Sequence, residues 1–227
     1  MLTEFEITAL LCSLKIASIA ILFSLPVTIA LAWVLARKQF IGKVFLETLV
    51  YAPLLLPPVS VGYLLLLVFG RTAPIGAWLY NGWGISFAFD WKGASLAAAI
   101  MAMPLMVGSF RIGFEGIDKK LEAAARTLGA SPKRVFFAIS IPLAFPSLLT
   151  GSLLGFARAL GEFGATIAFV GNIAGETQTL PLALYTLYQS PYEETQATRL
   201  LFLSLAIAFG AILLSHAIRK AFLRGIK

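Results

Sequence analysis

The 227-residue chain is 59% apolar and only 13% charged, which excludes an ordinary water-soluble domain. Its net charge of +7 invites a nucleic-acid reading, but the placement of the basic residues in the loops argues otherwise. A single cysteine, Cys12, and a single histidine, His216, exclude an internal disulfide and a metal site built from His and Cys within the chain.

Taken in order, the chain predicts five membrane-spanning helices. Span one covers residues 7–36 and is interrupted only by Lys15, near enough to its start to snorkel to the interface. It is too long for a signal peptide, has no basic residue before Lys15 and ends without a small-residue cleavage site, so it is expected to stay in the mature protein. The loop RKQFIGK follows. Span two, residues 45–69, contains Pro53, Pro57 and Pro58 and must bend. The segment after it carries Trp78, Tyr80, Trp83 and Trp91, which suits a membrane–water interface.

Span three covers residues 94–114 with Pro104 inside, span four residues 144–170, and span five residues 200–218. Between the last two, residues 171–198 are polar around a short apolar piece, LPLALYTLY, that is too short to span. No internal repeat, low-complexity tract or soluble second domain interrupts this order, so residues 1–227 read as one transmembrane domain.

Thirteen of the 18 Lys and Arg residues fall on one side of such a five-span bundle: in the loop after span one, between Arg111 and Arg134, and in the tail from Arg219 to Lys227. The positive-inside rule places that side in the cytoplasm, with the N-terminus outside and the C-terminus inside. Topology and contact with anionic lipid account for the charge, and no nucleic-acid partner is expected.

Residues 115–142 form a charged island on that side. Asp118 is a candidate N-cap, Gly129 a candidate left-handed C′ residue, and Ser131-Pro132 reads as N-cap and N1 of a second helix ending near Ser140, with Pro142 as its stop. Such a loop is long and structured where connecting loops are usually short. Small alanines on an exposed helix suit docking into a groove of another protein. Glu122 has two candidate partners: a basic residue of that protein, or its own Arg126 at i+4.

Glu122-Ala123-Ala124, Gly129, Ile139, Ile141 and Pro142 stand at the spacing E-A-A-x3-G-x9-I-x-L-P. The chain therefore resembles the permease subunits of binding-protein-dependent ABC importers, with Ile141 in place of the pattern's Leu. The resemblance implies that this loop is the coupling helix, with Glu122, Ala123, Ala124, Arg126, Gly129, Ile139 and Pro142 engaging an ATPase subunit. It extends over the chain. LLLPPVSVGYLLL and ARALGEFGATIAFVGNIAGETQTLPLALYTL are similar to bacterial molybdate permeases, with sulfate and tungstate permeases as near relatives. The implied fold is an all-α, polytopic helical bundle of the molybdate- and methionine-permease type, beginning directly at the five-span core.

The chain has no P-loop: its one Gly-Lys pair, Gly42-Lys43, is followed by Val44. ATP and Mg are therefore expected on a separate ATPase subunit, with no cofactor in this chain and no catalytic residue. The resemblance also implies an extracytoplasmic oxyanion-binding protein and a second copy of the chain as partners, all at the cytoplasmic membrane.

Span four carries ionisable residues where hydrocarbon makes them costly, at least a few kcal/mol each, so Arg158 and Glu162 must face protein or water. Two readings stand: Arg158 lines the path and offsets the charge of an oxyanion, or Arg158 and Glu162 pair and lock the packing. Pro57, Pro58, Pro104 and Gly164 complete the candidate path, each with a packing alternative. Met101, Met103 and Met106 read as bundle packing, and Glu176–Ser190 as the docking and outer-gate segment.

The expected function is ATP-driven import of molybdate by alternating access, with tungstate or sulfate as alternative cargo. A gradient-driven secondary transporter is the distant rival; of intramembrane carboxylates for coupling, only Glu162 qualifies. An intramembrane enzyme would have only His216 and Cys12 as catalytic material.

Overall fold

Every regular element among the described residues is helical, as lipid requires of a chain without alternating strand segments. The computed structural model describes the backbone of residues 2–190 and 194–225; beyond residue 210 it describes side chains only at 213 and 217. The side chains of His216, Arg219, Lys220 and Arg224, and all of Lys227, thus lie outside it.

Helix α1, Glu4–Arg37, opens with a capping box in which Thr3 Oγ1 accepts from the Glu6 amide and Glu6 accepts from the Thr3 amide. Lys15 does not simply reach for water. Its ammonium sits 3.9 Å from the ring centroid of Trp91, the first residue of α5, Trp91–Glu115, and so joins the starts of two helices.

The expected second span is not one bent helix. It is two helices, α2 (Lys43–Leu55) and α3 (Pro58–Phe69), whose axes differ by 117°. Two successive prolines remove two amide donors, and each forces the residue before it out of the helical region. Leu56 and Pro57 accordingly take ψ of 143° and 131°. In the aromatic segment that follows, α4 (Pro74–Trp83) sets Trp78 and Trp83 edge to face, both largely exposed.

Helix α5 is the centre of the bundle and packs against α1, α2, α8 (Ile141–Leu160) and α9 (Gly164–Val170). Its buried face is built from Ala94, Ala97, Ala98 and Ala102. Small faces let backbones approach closely where lipid supplies no hydrophobic drive. The facing side of α8 is matched to this: a methyl group on Gly151 would meet the Phe110 ring at 2.6 Å. Met101 and Met106 are buried within this packing.

The island contains α6 (Lys119–Thr127) and α7 (Pro132–Val135). Pro142 does not stop the second helix. A π-helical turn, Phe136–Ser140, carries it into α8, and Pro132–Leu160 runs on as 29 residues. A proline inside a helix lacks its amide donor and crowds the carbonyl four residues back; a wider π turn just before it takes up the misfit. Span four in turn ends earlier than expected. The chain breaks at Gly161–Phe163 and restarts as α9, which packs on α3. Helix α10, Leu180–Tyr188, and α11, Glu194–Gly225, complete the order.

Among the described residues, α1, α5 and Pro132–Leu160 are each long and apolar enough to cross a membrane, and the α2–α3 pair forms a broken fourth. Buried Glu6 of α1 pairs with Arg199 of α11 at 3.2 Å, which fixes the starts of both helices at the same end. The island lies at the other.

Candidate coupling surface and translocation path

Helix α6 has complete caps of its own. Asp118 Oδ1 accepts from the Lys120 amide at 2.9 Å. At the far end Ala130 N donates to Ala125 O and Gly129 N to Arg126 O, which is a Schellman closure. Gly129 has φ +85°, and a methyl group on it would meet nothing within 4 Å, so backbone conformation alone requires glycine there. Ser131 Oγ accepts from the Arg134 amide, with Pro132 at N1.

No residue of α6 is buried: Ala123, Ala124 and Arg126 are exposed, and Leu128, its C-cap, is 89% exposed. Ile139 is half-buried, Pro142 is exposed, and Ile139 joins Ala125, Leu128, Ala130 and Val135 around a cleft of about 290 Å³. A capped helix that leaves Leu121, its alanines at 123 and 124, and Leu128 exposed presents apolar residues to something else.

Within the chain Glu122 pairs not with Arg126 but with two residues from other elements. Its Oε1 accepts from Arg37 of α1 at 3.1 Å and from Ser140 Oγ of the π turn at 2.9 Å. Sequence reasoning missed Arg37 and Ser140. Arg37 reads as one more charge of the basic loop, and no local spacing links either residue to Glu122.

At the other end of α8 the break is organised by Glu162. Its Oε2 lies 2.6 Å from Arg158 Nη1, and its Oε1 accepts from the Ala165 amide at 2.8 Å. Glu162 is thus a cap for α9 and a counter-ion for Arg158 at once. Its side chain is buried, whereas that of Arg158 keeps 26% of its surface open. Pairing and partial exposure therefore coexist: the packing contact is made, and part of the Arg158 side chain stays open.

Gly164 belongs to the same junction. A methyl group on it would meet Pro58 Cβ at 2.7 Å, and one on Gly62 would meet the Ala165 carbonyl oxygen at 2.4 Å. The α3 and α9 backbones are in direct contact there, so Pro58, Gly164, Glu162 and Arg158 form one continuous feature, with exposed Pro57 beside it. Pro104 is buried within α5. Gly62 was not legible, because nothing in the sequence says which carbonyl it faces.

The expected docking segment divides. Thr177, Gln178 and Thr179 are buried, with Thr177 Oγ1 accepting from the Ile173 amide and the Leu180 amide donating to Ser13 Oγ. Helix α10 carries the exposed part, and the Tyr185 ring lies 5.2 Å from that of Phe163 of the α8–α9 break, tilted by 59°. The two rings line an apolar cleft with Leu184, Tyr188 and Leu201.

These features define a multi-span helical protein with an exposed capped helix at one end and a proline- and glycine-built break toward the other. Residues 18–224 match the family model described as binding-protein-dependent transport system inner membrane component, and the chain belongs to that family. It is an inner-membrane transport component rather than an enzyme. It is 55% identical to the molybdenum transport system permease protein ModB of Escherichia coli K12, over 95% of this chain and 94% of that one. It is 36% identical to the sulfate transport system permease protein CysW of Synechococcus elongatus, over 86% of this chain and 66% of that one. The fold matches a chain of the inward-facing MetNI methionine ABC transporter with a TM-score of 0.71 at 15% identity, covering 97% of this chain and 99% of that one.

Proposed function

We propose that this chain is the permease subunit of an ATP-driven molybdate importer, and that residues 115–142 are the coupling segment through which an ATPase subunit moves it. One observation carries the reading. The E-A-A helix α6 is fully capped, leaves Ala123 and Ala124 exposed, and is followed within a few residues by a helix that runs on as a span. A push on this surface has a stiff element to act through.

Five spans form one transmembrane unit, the broken α2–α3 pair counting as the second. The N-terminus lies outside and the basic end of the bundle in the cytoplasm. Two copies related by a two-fold axis enclose the path, as closed symmetry favours. ATP and Mg bind the ATPase subunits. The outer face, around α10, receives an oxyanion-binding protein. Closure of the ATPases brings the α6 helices together and opens the path outward; hydrolysis restores the inward-facing state.

In that path Arg158 offsets the charge of the passing anion. Glu162 beside it keeps a dianion from being held too tightly to leave. Molybdate is favoured as cargo by the 55% identity to a molybdenum permease over nearly the whole of both chains. Sulfate or tungstate is the second reading, supported by the 36% identity to a sulfate permease and by the shared tetrahedral dianion chemistry.

The test is reconstitution of the chain with its ATPase and binding protein in liposomes. ATP hydrolysis and uptake should both rise with molybdate-loaded binding protein and rise less with sulfate. Uptake without any ATPase subunit would overturn the importer reading, and equal stimulation by sulfate would overturn the choice of cargo.

A further inference from the structure

We infer that Arg37 is a positioning residue for coupling: its guanidinium locks α6 onto the ends of α1 and α8, so that force applied to α6 reaches two spans together. The inference rests on the importer reading above and deepens it.

The contacts converge on one carboxylate oxygen. Glu122 Oε1 accepts from Arg37 Nη2 and from Ser140 Oγ, and Arg37 Nη2 also donates to the Ile117 carbonyl at 3.1 Å. Arg37 is the last residue of α1, Ile117 immediately precedes the cap of α6, and Ser140 is the last residue of the π turn before α8. A single guanidinium therefore holds the entrance and the first turn of α6, while the hydroxyl ties that same turn to α8.

The pair is shielded. The Arg37 and Glu122 side chains keep only 8% and 14% of their surfaces. Their attraction is correspondingly stronger than that of a pair in open water. Behind it the three helices meet through aromatic rings: Phe136 of the π turn lies edge-on to Trp33 of α1 at 5.6 Å and stacked on Phe114 of α5 at 6.3 Å. Apart from half-buried Ala125 the rest of α6 is exposed, so without this lock the helix would be held only by its flanking chain and the packing of Ala125. Helix α6 could then follow a moving ATPase without dragging the spans.

A purely structural ion pair would lower the amount of assembled complex and leave transport per ATP unchanged. A positioning residue changes the ratio. The experiment uses the full complex in proteoliposomes and measures ATP consumed per molybdate imported for the wild type, Arg37→Ala, Glu122→Ala, the double variant, and the swap Arg37→Glu with Glu122→Arg. Arg37→Ala is expected to raise the ratio roughly twofold to thirtyfold while hydrolysis continues.

The double variant should be no worse than the worse single one, because both act through one contact, and the swap should bring the ratio back toward wild type. An unchanged ratio in Arg37→Ala overturns the inference. So do additive single effects, which would mean that Glu122 acts on the ATPase independently of Arg37. If Arg37→Ala does not assemble, the double variant, which removes the lock without stranding a charge, is read in its place, and an unchanged ratio there overturns it equally. Failure of the importer reading is seen separately, as wild-type hydrolysis that ignores the loaded binding protein.

Discussion

Each end of the Pro132–Leu160 helix is finished by an arginine–carboxylate pair, and the two pairs do different work. At the island end Arg37 and Glu122 are 85 residues apart, and with Ser140 they join three elements. At the other end Arg158 and Glu162 are neighbours at i,i+4 and organise a local break, with α9 starting from the Glu162 carboxylate. A long-range pair can pass displacement between elements, because breaking it uncouples them. A local pair fixes a turn, and its loss is felt as lost stability first. The comparison also separates neighbouring glycines: Gly129 is required by conformation in open space, whereas Gly62 and Gly164 are required by contact.

The sharpest way to break this contrast is Arg158→Leu. It leaves Glu162, 2% exposed, without its counter-ion, and breaking such a pair costs about 3–5 kcal/mol. The complex should lose thermal stability and accumulate poorly. Adding Glu162→Gln removes the stranded charge while keeping an oxygen for the Ala165 amide, and should restore most of the stability. Uptake by the restored double variant then decides the role of Arg158 in the path: loss of transport from a stable complex assigns it there, and normal transport assigns it to packing alone.

Gly62→Ala comes next. Its methyl group would press on the Ala165 carbonyl oxygen, which is backbone and cannot rotate away. Overpacking of this kind costs roughly 1–3 kcal/mol. The melting temperature of the purified complex should fall measurably, and an unchanged value would mean that α3 and α9 are not held in contact.

Gly129→Val should act more weakly on stability and more strongly on transport. A β-branched residue in the left-handed region costs about 1–2 kcal/mol, and here that strain distorts only the end of α6. The protein should reach the membrane in normal amount while uptake falls severalfold, read by comparing immunoblotted protein with labelled molybdate uptake.

The grammar of the island was legible because caps and turns are local. Asp118, Gly129 and Ser131-Pro132 each act within four residues, and the structure places each in the expected cap or turn. Pro142 misled because a proline reads as a stop, and only the π turn before it lets the helix continue. The bend in span two was readable from Pro57 and Pro58, but its size was not, because 117° is set by what α3 packs against. Hydropathy alone carried span four to Val170. Glu162 stood out as a charge inside a span, but hydropathy does not tell that its carboxylate starts α9 by accepting from the Ala165 amide. Arg37 and Ser140 were out of reach for the opposite reason, since their partner is fixed by tertiary packing.

The smallest expected effect tests the comparison at its weakest point, the cap of α6. Asp118→Ala removes the acceptor for the Lys120 amide, a loss of about 1 kcal/mol of helix stability. Because no residue of α6 is fully buried, this local cost should not propagate into the bundle, and the melting temperature should stay where it is. Hydrogen exchange at the first amides of α6 should speed up roughly fivefold, matching that free energy. Beyond Glu122 the Arg37 lock should hold, so amides from Ala124 onward should keep their protection. If instead the whole helix exchanges faster, the cap and the lock are one cooperative unit, and the stiffness assigned to Arg37 belongs in part to Asp118.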